Sequence, residues 1–213
     1  MDREAIPRII DWGIAECSLP GEAKSGDASI VVQVPDGAVI AVIDGLGHGV
    51  EAAHAAGAAA AVVKEHAREP LIPLIERCHQ ALRYSRGATM TVAQVNAVSQ
   101  TLTWLGVGNV EGRLLRSYPS KELTAESPML RGGVVGHKLP PLHPSSARLS
   151  RGDLIIMTTD GVGGLVDRLA PQGTPQGIAD NILQRHWRGN DDALVLVARY
   201  LGGPATDPNL RIP

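Results

Sequence analysis

Residues 38–53 read Ala-Val-Ile-Ala-Val-Ile-Asp-Gly-Leu-Gly-His-Gly-Val-Glu-Ala-Ala. An apolar run stops at a carboxylate, Asp44, and three glycines alternate with Leu46 and His48 before an alanine-rich segment opens. A short apolar run bounded by turn residues suits a strand covered on both faces, and alanine is the best helix former. The stretch therefore reads as strand, tight loop, helix. Gly45, Gly47 and Gly49 permit positive φ and leave the peptide groups beside Asp44 bare to a ligand. Two readings are open at this point. Asp44 is either the cap of an ordinary turn, which uses Asp-Gly constantly, or part of a loop that binds a metal or a phosphate. The choice depends on whether other carboxylates join it.

Upstream, residues 29–34 and 38–43 flank Pro35-Asp36-Gly37, a β-hairpin signal. Antiparallel pairing carries Asp27, before the first strand, and Asp44, after the second, to the same end. Residues 9–17 suit an earlier strand, with a polar loop over 19–27. Downstream, 50–68 suits an alanine-rich helix. A second helix is expected over 71–84, with Leu71, Leu74, Ile75, Cys78 and Leu82 at helical spacing. Residues 89–98 and 101–107 make a second hairpin, and a turn at 108–112 leads into 113–118. Between 119 and 148 prolines and glycines are dense, which predicts a long surface excursion. Residues 154–161 repeat the pattern of a buried strand ending in Asp-Gly, 175–187 suit a helix, and Asn190-Asp191-Asp192 opens a last strand over 193–199. The tail from Gly202 reads as irregular, so the chain is taken as one domain over 1–201 with a tail at 202–213.

Composition narrows the classes of function. The chain has 213 residues, 44% hydrophobic and 20% charged, with 3% aromatic and no Phe, so its core is built from Ala, Val, Leu and Ile. A net charge of -2 and no Lys/Arg run argue against nucleic acid. Two cysteines are too few for a disulfide framework or a thiolate metal cluster and fit a reducing cytoplasm. The N-terminus lacks the apolar core of a signal peptide, and no apolar stretch is long enough to span a bilayer. A cytoplasmic protein with no membrane partner is expected.

Four acidic loci thus fall at strand ends: Asp27, Asp44, Asp160, and Asp191 with Asp192. Carboxylates gathered at one sheet edge repel one another and rise in pKa unless a cation compensates. The set is all oxygen, with no His/Cys cluster suited to structural zinc, and this favours Mg²⁺ or Mn²⁺. Two such ions, roughly 3.5–4 Å apart, can share a carboxylate and activate water for in-line attack on phosphorus.

The ordered set Ser25-Gly26-Asp27, Asp44-Gly45-Leu46-Gly47-His48-Gly49, Gly152-Asp153 before Thr158-Thr159-Asp160-Gly161, and Asn190-Asp191-Asp192 resembles the metal-dependent serine/threonine protein phosphatases of the PPM, or type 2C, family. Within that family it is similar to the bacterial SpoIIE-like branch and its stressosome phosphatases. The resemblance spans nearly the whole chain. It implies an α/β (α+β) fold, a four-layer αββα sandwich of two mostly antiparallel sheets flanked by helix pairs. It also implies two divalent cations, Mn²⁺ or Mg²⁺. Asp44 would bridge both, the Gly45 carbonyl would bind the second, Asp160 and Asp191 would hold the first, and Asp27 would lie on the side of the second. Asp191 is favoured over Asp192 because it takes the first place of the acidic pair.

The implied activity is dephosphorylation of stress-signalling proteins, phosphorylated stressosome STAS-domain proteins, by a metal-activated water. Alternatives are a SpoIIE-like phosphatase for another phosphoprotein, such as an anti-sigma-factor antagonist, and a catalytically silent binding module. The sequence departs from better-known members in two places. Leu46 stands where they have a His, and no N-terminal arginine for the phosphate is evident. His48 is the candidate general acid, against a capping or surface role. Lys24 is the candidate phosphate ligand, against a solvated loop charge. His54, His66 and His79 need no role beyond packing or surface, and Asp153 reads as a turn residue.

Overall fold

The computed structural model describes residues 8–117, 126–163 and 172–203. Strands β2 (Asp27–Val34) and β3 (Gly37–Gly45) form the expected hairpin. The pairing continues through β4 (Ala88–Asn96) and β5 (Thr101–Val107), all antiparallel. A second sheet takes β1 (Ile10–Cys17), β10 (Ala193–Tyr200), β9 (Leu154–Thr158) and β6 (Glu111–Leu115) in that order. Strand β3 explains the layering. Ile40 and Val42 enter the core between the sheets, with Trp104, Ile155, Leu194 and Leu196. Val39, Ala41 and Ile43 point the other way, towards the helices. A strand buried on both faces needs apolar residues at consecutive positions, as residues 38–43 supply.

Helices α1 (Gly49–Glu65) and α2 (Leu71–Ala81) cover the larger sheet. The buried row of α1 is Ala52, Ala55, Ala56, Ala59 and Val63, and these small side chains let the helix lie close on β3. Helix α3 (Pro175–His186) covers the other sheet through Ile178, Ala179 and Ile182. The order of layers is helix, sheet, sheet, helix. Among the described residues the second helical layer contains α3 alone rather than a pair.

The described part of the expected surface excursion, 126–148, is largely exposed and carries little regular structure, with residues 119–125 outside the described residues. It nonetheless pairs at the sheet edge, Leu130–Arg131 (β7) parallel with β5 and Ser145–Arg148 (β8) antiparallel with it. Val135 between them is fully buried and exchanges backbone hydrogen bonds with Ala88. Prolines and glycines limit strand length there without preventing edge pairing. Most of the tail, 204–213, lies outside the described residues, as do residues 1–7. No helix among the described residues is long and apolar enough to cross a membrane.

Candidate metal centre

The hairpin register sets Asp27 directly across from Asp44. Two Asp-Gly steps bring the remaining carboxylates to the same edge, and in each the glycine answers a close backbone approach. A Cβ on Gly45 would stand 2.2 Å from the Ala52 carbonyl oxygen of α1, and one on Gly161 would stand 1.9 Å from the Asp192 carbonyl oxygen. Any side chain at either position would force the neighbouring element away. Gly45 therefore sets how near α1 lies to Asp44, and Gly161 sets how near the 191–192 turn lies to Asp160.

Electrostatics shows that the loci share one field. Burial, then the charge of Asp44, pushes the Asp27 carboxyl up to about 8, with Asp192 and Asp160 adding to the effect. Burial, then Asp160, Asp191 and Asp192, pushes Asp44 up to about 7. Like charges near one another in a poorly solvated place favour the neutral form, and a bound cation removes that penalty.

The hydrogen bonds divide the carboxylates by role. Asp192 is buried, and its two oxygens accept from the backbone N–H groups of Leu19 and Gly26, each at 2.7 Å. It clamps the loop that leads to Asp27. Asp191 is half-buried, and its Oδ1 accepts from the Asp192 N–H at 2.9 Å. Asp27 Oδ2 accepts from the Thr159 hydroxyl at 2.7 Å, and the same oxygen of Thr159 accepts from the Leu194 N–H at 2.9 Å. Thr159 thereby links the two sheets at the site. Asp160 is exposed, and its Oδ2 accepts from Asn109 Nδ2 at 2.7 Å, while Asn109 Oδ1 accepts from the Thr89 hydroxyl at 2.6 Å. Thr89 lies across from Asp44 on β4. Among the described residues no side-chain donor bonds to the Asp44 carboxylate.

As placed, no three His, Cys, Asp or Glu side chains among the described residues close tightly enough around one point to hold an ion. Asp27, Asp160 and Asp192 are each turned to a protein donor. The donor set still fits a hard divalent cation. It is all oxygen, Asp27 and Asp44 are driven towards protonation by burial and by the neighbouring carboxylates, and neither Asp44 oxygen has a hydrogen-bond partner among the described residues.

His48 occupies the N-cap position of α1 without a side-chain capping bond. Its Nδ1 lies 2.5 Å from Glu22 Oε1, and the ring is exposed. Lys24 is exposed in the loop, with no hydrogen bond or ion pair among the described residues. Asp153 does sit in the turn before β9, and its buried carboxylate also accepts from Ser150 N, Ser117 N and Arg116. Sequence reasoning missed Asn109, Thr89 and Thr159 as partners of the site. Thr159 directly precedes Asp160, so its motif signalled it, whereas nothing local marks Asn109 or Thr89.

The profile of the family described as stage II sporulation protein E (SpoIIE) matches residues 35–201. This chain belongs to the SpoIIE family. SpoIIE-type domains are metal-dependent protein phosphatases of the PPM class, and the chain is also 31% identical over 149 residues to the phosphoserine phosphatase RsbX of Bacillus subtilis (strain 168). That alignment covers 70% of this chain and 73% of the relative. A chain solved in work on the bacterial stressosome as a modular system adapted to control secondary messenger signalling superposes with TM-score 0.83 at 30% identity, over 89% of this chain and 99% of that one. A crystal structure of RsbX in complex with magnesium shares the fold, with TM-score 0.80 and 24% identity over 91% of this chain and 96% of that one.

Proposed function

We propose that this SpoIIE-family phosphatase removes phosphate from serine or threonine of a stress-signalling protein, with a phosphorylated STAS-domain component of a stressosome as its substrate. The observation that carries the reading is the facing pair Asp27 and Asp44, held by burial and repulsion at pKa values of about 8 and 7 in an all-oxygen cluster. The similarity to a phosphoserine phosphatase and to a stressosome chain supports the substrate class. Residues 1–201 are read as one such domain. The net charge of -2 gives no reason to add nucleic acid as a partner.

Two divalent cations, Mg²⁺ or Mn²⁺, are the proposed complement, and magnesium in the RsbX structure supports the ion type. Asp44, the Gly45 carbonyl, Asp160, Asp191 and Asp27 would hold them. The chemistry such ions supply when bound is neutralisation of the phosphate's charge and activation of water for attack at phosphorus. The chain's own residues do the rest. Thr159 fixes Asp27, Asn109 orients Asp160, and Asp192 holds the 19–26 loop against the second sheet. With Nδ1–H donating to the Glu22 carboxylate, His48 would act as the doubly protonated imidazolium, giving the Nε2 proton to the departing serine or threonine oxygen and remaining as the neutral ring bonded to Glu22. Cys78 gives no support to a thiolate route, because it is fully buried between the larger sheet and its helices and burial pushes its thiol up to about 12.

The test is intact-protein mass spectrometry of a phosphoserine STAS protein and of an unrelated phosphoserine protein, incubated with the Mn²⁺-loaded enzyme. Faster loss of phosphate from the STAS protein is expected. Equal rates on both would overturn the substrate assignment while leaving the phosphatase reading intact.

A further inference from the structure

The loop after Asp44 carries a second feature that the metal centre does not use. The guanidinium of Arg86, from the turn between α2 and β4, lies over Gly47, so close that a Cβ there would stand 2.7 Å from Arg86 Nη1. The turn is fastened to this loop. The Leu46 N–H donates to the Gly87 carbonyl at 3.0 Å, and His137 Nε2 lies 2.9 Å from the Arg86 carbonyl. On its other side Arg86 Nη2 makes a 2.5 Å ion pair with Glu51 in the first turn of α1. The side chain remains half-exposed.

We propose that Arg86 is the phosphate-binding cation of this site, reading the phosphoryl oxygens of the phosphoserine or phosphothreonine substrate. The assignment rests on the phosphatase reading above. Arginine presents several donors in a rigid fork, so one edge can hold Glu51 while the other meets an oxyanion. Glu51 fixes the fork beforehand, which reduces the conformational freedom lost on binding. Lys24 has no such anchor among the described residues, and this favours Arg86 over it. The bare Gly47 leaves room for the guanidinium where it lies, and a Cβ there would displace it. With φ at +87°, that position also suits glycine on backbone grounds.

Two readouts test the subsite in the Mn²⁺-loaded full chain: steady-state hydrolysis of an aryl phosphate, and inhibition by inorganic phosphate. Arg86→Ala is expected to raise KM and the phosphate inhibition constant together, each by about tenfold or more, with kcat and the Mn²⁺ midpoint little changed. Arg86→Lys keeps the charge without the fork and is expected to recover part of the loss. Arg77→Ala, which breaks an exposed pair with Glu69 on α2, serves as the control and is expected to change neither constant. KM and phosphate inhibition within twofold of wild type in Arg86→Ala would overturn the proposal, as would a loss confined to kcat or metal affinity. Should Arg86→Ala fail to fold, Arg86→Lys decides alone: phosphate inhibition weakened severalfold supports the subsite, and unchanged inhibition overturns it. If the wild type releases no phosphate, the phosphatase reading fails separately. Thermal protection by inorganic phosphate then reads the subsite directly, and its persistence in Arg86→Ala overturns the assignment.

Discussion

Asn109 touches no reacting group, yet it joins Asp160 to Thr89 on the strand facing Asp44. Partners that orient a ligating carboxylate commonly contribute one to two orders of magnitude in metal affinity. Asn109→Ala is therefore expected to weaken Mn²⁺ binding by roughly tenfold, read by calorimetric titration, with the circular dichroism spectrum unchanged. The adjacent acids are expected to separate in the same way. Asp192→Asn replaces an acceptor of two backbone N–H groups by an amide that accepts through only one oxygen, and is expected to cost about 1–3 kcal/mol of stability in urea. Asp191→Asn is expected to leave stability nearly unchanged and to weaken metal binding. If the two variants behave alike, the division between a loop clamp and a ligand is wrong.

At the scale of elements, the glycines of the two Asp-Gly steps act as spacers between backbone segments. Gly45→Ala would drive a methyl into the Ala52 carbonyl, and Gly161→Ala would drive one into that of Asp192. Either is expected to destabilise the fold by about 1–3 kcal/mol or more, measured by chemical denaturation. A comparable change at Gly57, which has open space around it, is expected to be tolerated. This contrast also shows what the sequence made legible. The apolar run before Asp44, the hairpin turn at Pro35-Asp36 and the alanine row of α1 are local patterns, and each element formed within a few residues of its expected bounds. The facing of Asp27 and Asp44 followed from hairpin geometry alone. Edge strands β7 and β8 were not legible, because two- and four-residue pairings among prolines carry no periodicity. Asn109 and Arg86 were not legible either. Each meets the site across long-range packing, through the 108–112 turn and the α2–β4 turn, and neither turn has a motif of its own.

For the whole molecule, the acidic edge makes stability depend on pH and metal together. Asp27 and Asp44 titrate near 8 and 7 in the fold, against an ordinary value of 3.8. Between those limits the folded chain holds protons that the unfolded chain has released, so stability falls as pH rises from about 4 to about 8. The metal-free protein is expected to melt higher at pH 5.5 than at pH 8, and saturating Mn²⁺ at pH 8 is expected to raise the melting temperature again, because only the folded state assembles the ligands. A metal-free melting temperature that climbs steadily with pH would contradict the raised carboxyls. The central claim, that this carboxylate edge is the metal centre of a phosphatase, is tested most directly by phosphate release from an aryl phosphate with Mn²⁺, with excess chelator, and in Asp44→Asn. The account predicts turnover that needs the metal and falls by roughly a hundredfold to a thousandfold in the variant, the loss expected when transition-state charge stabilisation is removed. Turnover that survives chelation, or an Asp44→Asn enzyme as active as the wild type, would contradict it.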